Sequence, residues 1–116
     1  MKEITSRDDV KVLVNAFYDR VKRDELLAPV FAHMDWPNHL QIMYNFWTSV
    51  LLGDMSYAGS PLAKHLKLPI TREHFERWLK LFINTVDSEF RGAIAEEAKN
   101  RANSIARIFQ HKMSLL

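Results

Sequence analysis

Apolar side chains recur along this chain at three- and four-residue spacing, and no stretch alternates apolar with polar as a half-buried strand would. That period commits the chain to helices, each of which must bury one stripe against a neighbour. Ser6 followed by Asp9 reads as a helix start, and Val10, Leu13, Val14, Phe17, Tyr18 and Val21 form the stripe that runs to about Arg23. Tyr18 lies at the edge of that stripe, where a phenol can bury its ring and still aim its hydroxyl at something polar. After Asp24, the segment ELLAPVFAHM holds Pro29 and predicts a short helix or turn. Asp35 caps a helix that tolerates Pro37 in its first turn, runs to about Leu52 and stops at Gly53. GDMSYAGSP reads as a loop, and LAKHLKL as one or two helical turns closed by Pro69. Thr71 caps a helix over about Arg72 to Phe90, and a last helix covers about Ala93 to Met113. The expected fold is all-α, with five to seven helices in a single domain spanning 1–116.

Composition excludes several kinds of function. No cysteine is present, so disulfides, thiol nucleophiles and thiolate metal sites are ruled out. The net charge is only +2 and the basic residues are scattered, which argues against nucleic-acid binding. The N-terminus has no apolar signal core and no 18-residue apolar run occurs, so a cytoplasmic chain away from the membrane is expected. The five histidines show no H-x-H, H-x-x-x-H or H-E-x-x-H spacing, which disfavours a site in which histidines hold a bare metal ion. No nucleophile sits in a recognised hydrolase motif.

His39 is the unusual residue. At 100° per residue, Gln41, Asn45, Thr48, Ser49 and Asn38 share a polar arc of the 36–52 helix. Trp36, Leu40, Ile42, Met43, Phe46, Trp47, Val50 and Leu51 fill the other, with His39 among them. His39, Met43 and Phe46 therefore make one ridge. In the helix after Thr71 the apolar face is Phe75, Trp78, Leu79, Phe82 and Val86, with His74 one turn before Trp78. Taken singly, each has an ordinary explanation: a core histidine bonded to a carbonyl, a helix-end histidine favoured by the dipole, a packed aromatic.

Their joint order carries more. FYDRVKRDELLAPVF, then WPNHLQIMYNFWTSVLLGDMSYAGSPLAKHLKLPI, then HFERWLKLF and RANSIARIFQ, resembles a group III truncated haemoglobin of bacteria over about Phe17 to Phe109. The resemblance implies a shortened globin fold, two helices over two, around one haem b. It implies His65 as the proximal iron ligand, Tyr18 as the distal tyrosine, His39 as the distal-helix histidine and Trp78 as the tryptophan at the ligand site. Phe31 corresponds to the phenylalanine packed on the haem after the second globin helix. Met43, one turn beyond His39, is expected over the haem, with Phe46 and Phe75 in the same contact set. Lys64, Arg72 and His74, placed near His65, are candidates for the haem carboxylates.

The residue types suit that chemistry. A neutral imidazole supplies the strong axial donor that haem iron needs. A diatomic ligand that draws charge from the iron rewards hydrogen-bond donors in a dry pocket, and Tyr18 and Trp78 are such donors. The resemblance implies dioxygen, nitric oxide, carbon monoxide or peroxide as ligands, an unidentified reductase as electron donor, and redox or peroxidase-like chemistry rather than oxygen transport. The rival from another class is a cofactor-free helical interaction module, whose aromatics are core and whose histidines are incidental.

Overall fold

The computed structural model describes residues 1–53 and 70–115. Four α-helices dominate them: α1 (Arg7–Arg23), α2 (Trp36–Leu52), α3 (Arg72–Glu89) and α4 (Ala93–Lys112). A single 3-10 turn, Ala28–Phe31, carries Pro29 between α1 and α2, in the place where the proline foretold something short. The turns expected from LAKHLKL lie outside the described residues.

The starts of α1, α2 and α3 are each fixed by a local side-chain hydrogen bond. Ser6 Oγ accepts from the Asp9 amide at 3.3 Å, and Asp9 Oδ2 accepts from the Ser6 amide at 3.2 Å, a reciprocal box at the head of α1. Asp35 accepts from the Asn38 amide at the head of α2. Gly53 ends α2 in the left-handed region, φ 74°. The head of α3 is built differently: the His74 ring nitrogen Nδ1 accepts from the Thr71 amide at 3.0 Å and lies 2.8 Å from the Thr71 hydroxyl.

Asp9 also reaches back along the chain. It accepts from the Thr5 amide at 2.9 Å and pairs with Lys2 Nζ at 2.7 Å. The Lys2 bond, then the Thr5 amide, hold its carboxyl well below the usual carboxylate range against the opposing effect of burial. A depressed value of this kind contributes stability above the ordinary carboxylate pKa, and that contribution is lost as pH falls through the depressed value. Asp9→Ala is therefore expected to cost roughly 1–2 kcal/mol at neutral pH. Urea unfolding of both proteins at neutral and at strongly acidic pH checks this. The gap should narrow in acid, and a gap of constant size would remove the ionised carboxylate from the account.

Sequence periodicity gave no sign of strands, yet two residues at each of two places form one. Lys2–Glu3 (β1) runs parallel to Phe90–Arg91 (β2), with Lys2 opposite Phe90. Two residues are too few to display alternation, and their pairing depends on α1 and α3 bringing distant segments together. Arg91 Nε adds a bond to the Met1 carbonyl at 3.0 Å. Gly92 follows at φ 98°, a conformation that favours glycine, and a side chain there would displace the exposed Glu3 side chain, whose Oε1 lies 2.5 Å from the Cβ position.

The core lies where α1 meets α2 and α3. Phe17, Phe82, Leu13, Val10, Val14, Val21 and Val86 are fully buried. Phe82 stacks between Trp47 of α2, 4.7 Å between ring centres, and Trp78 of its own helix, at 5.8 Å. Phe17 of α1 meets Phe82 edge-on at 5.2 Å. Such aromatic pairs add about 0.5–1.5 kcal/mol each beyond area burial. Along α4, Ala95, Ala98, Ala102 and Ala106 are buried; their small side chains let α4 lie close to α3. Thr48 departs from the polar arc assigned to it: it is 1% exposed. Its hydroxyl donates to the Tyr44 carbonyl at 2.6 Å, which satisfies the polar atom inside the helix and leaves the methyl to pack. Among the described residues, no helix is long and apolar enough to cross a membrane.

Candidate functional site: an apolar cleft with few polar groups

Packing α3 and α4 against α1 and α2 leaves a cleft. Its walls are Leu27, Val30 and Phe31 from the 3-10 segment, Met43, Phe46 and Trp47 from α2, Phe75 from α3, and Ile105, Ala106 and Phe109 from α4. Ile70, just before α3, closes one side. Among the described residues, Tyr18, His74 and the two tryptophans, Trp47 and Trp78, bring side-chain nitrogen or oxygen atoms to this lining.

Tyr18 enters from α1 and is buried rather than at an edge. Its ring is wedged among Phe17 at 4.8 Å, His39 at 5.0 Å, Trp36 at 5.4 Å and Phe31 at 6.4 Å. Burial pushes the phenol well above its usual value, so the group stays a hydroxyl, a donor throughout the physiological range. Trp78 enters from the opposite helix. Stacking on Phe82 and the edge of Phe17 at 5.8 Å fix its indole, a pure donor.

His74 is set by its capping bond. Because Nδ1 accepts from the Thr71 amide, the neutral ring carries its proton on Nε2. A metal-bound imidazole needs a free lone pair, and here the bond to Thr71 occupies the one on Nδ1 while Nε2 is a donor. His74 thus suits a hydrogen-bonding role at the cleft rather than ligation.

Seven of the residues singled out in the sequence come together here: Tyr18, Phe31, Met43, Phe46, His74, Phe75 and Trp78. His39 is placed behind this lining; its ring contacts Tyr18, Phe31 at 6.2 Å and Trp36 at 5.7 Å. Arg72 is exposed and pairs with Glu76 at 3.2 Å, apart from the lining. Lys64 and His65 lie outside the described residues. Leu27, Val30, Trp47, Ile70, Ile105, Ala106 and Phe109 also line the cleft, and sequence reasoning had treated them as packing or passed over them. The one signal for the last three is their spacing on α4, which puts Ile105 and Phe109 four apart beside the buried alanines.

The lining is mostly aromatic and aliphatic, with polar side-chain atoms on α1, α2 and α3. It suits an apolar ligand that carries a polar group, and the arrangement of the helices is that of a shortened globin.

The chain belongs to the bacterial-like globin family, whose profile matches residues 2–114. It is 34% identical over 118 residues to the Group 3 truncated hemoglobin ctb of Campylobacter jejuni, covering 96% of this chain and 93% of that protein. The crystal structure of the group III truncated hemoglobin from Campylobacter jejuni superposes with a TM-score of 0.87 at 36% identity, over 97% of this chain and 95% of the other. A more partial likeness, 35% over 80 residues, joins it to the Group 2 truncated hemoglobin YjbI of Bacillus subtilis, across 65% of this chain and 60% of that one. The truncated globin fold and the group III likeness expected from the motifs therefore hold. Membership implies a haem-binding globin that takes a gaseous ligand such as oxygen.

Proposed function

We propose that this chain is a haem b protein in which His65 ligates the iron and dioxygen or another diatomic ligand is held for oxygen or nitric oxide redox chemistry, or for peroxidase-like turnover, rather than for oxygen transport. The observation that carries this reading is the pairing of a buried hydroxyl, Tyr18, with the Trp78 indole in one apolar cleft. Bound haem would supply an iron centre able to take an imidazole and a small ligand.

The chain's own residues do the rest. Met43, Phe46, Phe75 and Phe31 offer apolar faces to a macrocycle and exclude water. Tyr18 and Trp78 donate hydrogen bonds to a ligand that has gained negative charge. A hydrogen bond to a charged partner is worth roughly 1.5–3 kcal/mol, and two of them favour slow release, which suits retention for reaction over delivery. His39, packed on the Tyr18 ring, holds that phenol in place. His74, with its proton on Nε2, is a donor suited to a haem carboxylate; Lys64 and Arg72 are further candidates by their place in the sequence. A cytoplasmic setting and an unidentified reductase complete the proposal.

The test is an absorption spectrum of the protein expressed with haem supply, first ferric, then reduced, then under carbon monoxide. A strong Soret band that shifts at both steps is expected. A colourless, folded protein that takes up no added haemin would instead favour a cofactor-free helical interaction module. His65→Ala should weaken haem retention and change the reduced spectrum, and an unaltered five-coordinate histidine spectrum would remove His65 as ligand.

A further inference from the structure

One ion pair joins two walls of the cleft. Asp24 ends α1, and its Oδ2 accepts from the Leu26 amide at 3.1 Å and the Leu27 amide at 3.0 Å. Its Oδ1 accepts from Arg77 on α3 at 2.7 Å. The Asp24 side chain is 10% exposed and that of Arg77 40%, so solvent screens the pair only in part. Burial alone would raise the Asp24 carboxyl. The Arg77 bond and the Leu27 amide outweigh it and keep the group below the ordinary carboxylate range, hence ionised.

The two oxygens serve different elements. One folds the segment that delivers Leu27, Val30 and Phe31 to the cleft. The other is gripped by the residue immediately before Trp78. The segment has a single 3-10 turn of its own, a conformation with little intrinsic cohesion. Trp78 is held by Phe17 and Phe82, and Tyr18 meets the wall through Phe31 while Phe17, Trp36 and His39 hold it from elsewhere. Loosening the pair would therefore release the wall while leaving most of the support of both donors in place.

Building on the haem reading above, we propose that Asp24 and Arg77 form a positioning latch, which holds the Leu27–Phe31 wall against α3 and so sets how long a ligand stays in the cleft. Neither residue touches the ligand. Arg77 reaches Asp24 through one N–H···O bond, so Lys at position 77 should keep part of the grip through its charge and Met none. Met retains an apolar stem of similar length, which limits the packing loss.

Two signals test the latch on wild type, Arg77→Lys and Arg77→Met. The first is amide hydrogen exchange of the purified protein at Ala28 and Val30, whose amides bond to the Asp24 and Leu27 carbonyls. The second is the fraction of carbon monoxide that rebinds from within the protein after a laser flash. In Arg77→Met, exchange at these amides should quicken severalfold with α1 unchanged, and internal rebinding should fall severalfold, with Arg77→Lys between. A lower unfolding temperature with both signals unmoved would reduce the pair to general stability and overturn the latch. A protein that takes up no haem overturns the proposed function instead, whereas unmoved exchange in Arg77→Met overturns the latch; the two failures appear in different signals.

Discussion

Tyr18→Phe is expected to release bound oxygen roughly 10- to 150-fold faster than the parent protein, the range that follows from losing one hydrogen bond to a charged partner. The substitution removes one oxygen atom and keeps the ring. The Phe17, Phe31, Trp36 and His39 contacts around it therefore persist, and the fold should be unaffected. Because burial keeps the phenol protonated, the effect should be level across the physiological pH range. Stopped-flow measurement of ligand release at several pH values checks both parts. Identical traces for mutant and parent would take Tyr18 out of the ligand site and leave Trp78 as the main donor. Trp78→Phe should act in the same direction, and the double substitution should exceed either alone.

The largest loss of stability is expected from Phe82→Ala. Phe82 is completely buried, stacked on Trp47 and Trp78 and met edge-on by Phe17. Truncating a buried Phe costs about 3–5 kcal/mol, against a total of about 5–15 kcal/mol for a domain of this kind. Phe82→Leu should cost less and stay folded, which makes it the informative variant for the cleft. With its stacking partner gone, the Trp78 indole loses one of two supports, and oxygen release should quicken even though residue 82 does not line the cleft. Urea midpoints for both variants, with release rates for Phe82→Leu, provide the check. Wild-type midpoints in both would exclude the stack as the centre of the core.

The elements were legible where their cause is local. Ser6 with Asp9, Asp35 with Pro37, and Gly53 each act through a hydrogen bond or a backbone preference within a few residues, and each marks a helix boundary. Elements that depend on distant partners left no such mark. The β1–β2 pairing, the burial of Thr48 and the contribution of α4 to the cleft all arise from how helices pack together. The site was legible in a different way. Tyr18 and Trp78 were singled out by the order of motifs shared with a known family, because nothing in their own spacing separates a ligand donor from a core aromatic. Arg72, named only for its place near His65 in sequence, pairs with Glu76 one turn further along α3.

The parallel pairing of Lys2–Glu3 with Phe90–Arg91 bears on the order in which the molecule assembles. It closes a loop that contains α1, α2 and α3, and the entropy of such closure rises with the length enclosed. Two residues of strand and the Arg91–Met1 bond offer little in return until those helices have already packed. The clasp therefore forms last on folding and opens first on warming. Its opening would bare Gly92 and the head of α4, so the first region to lose protection lies at the α3–α4 corner, away from the cleft.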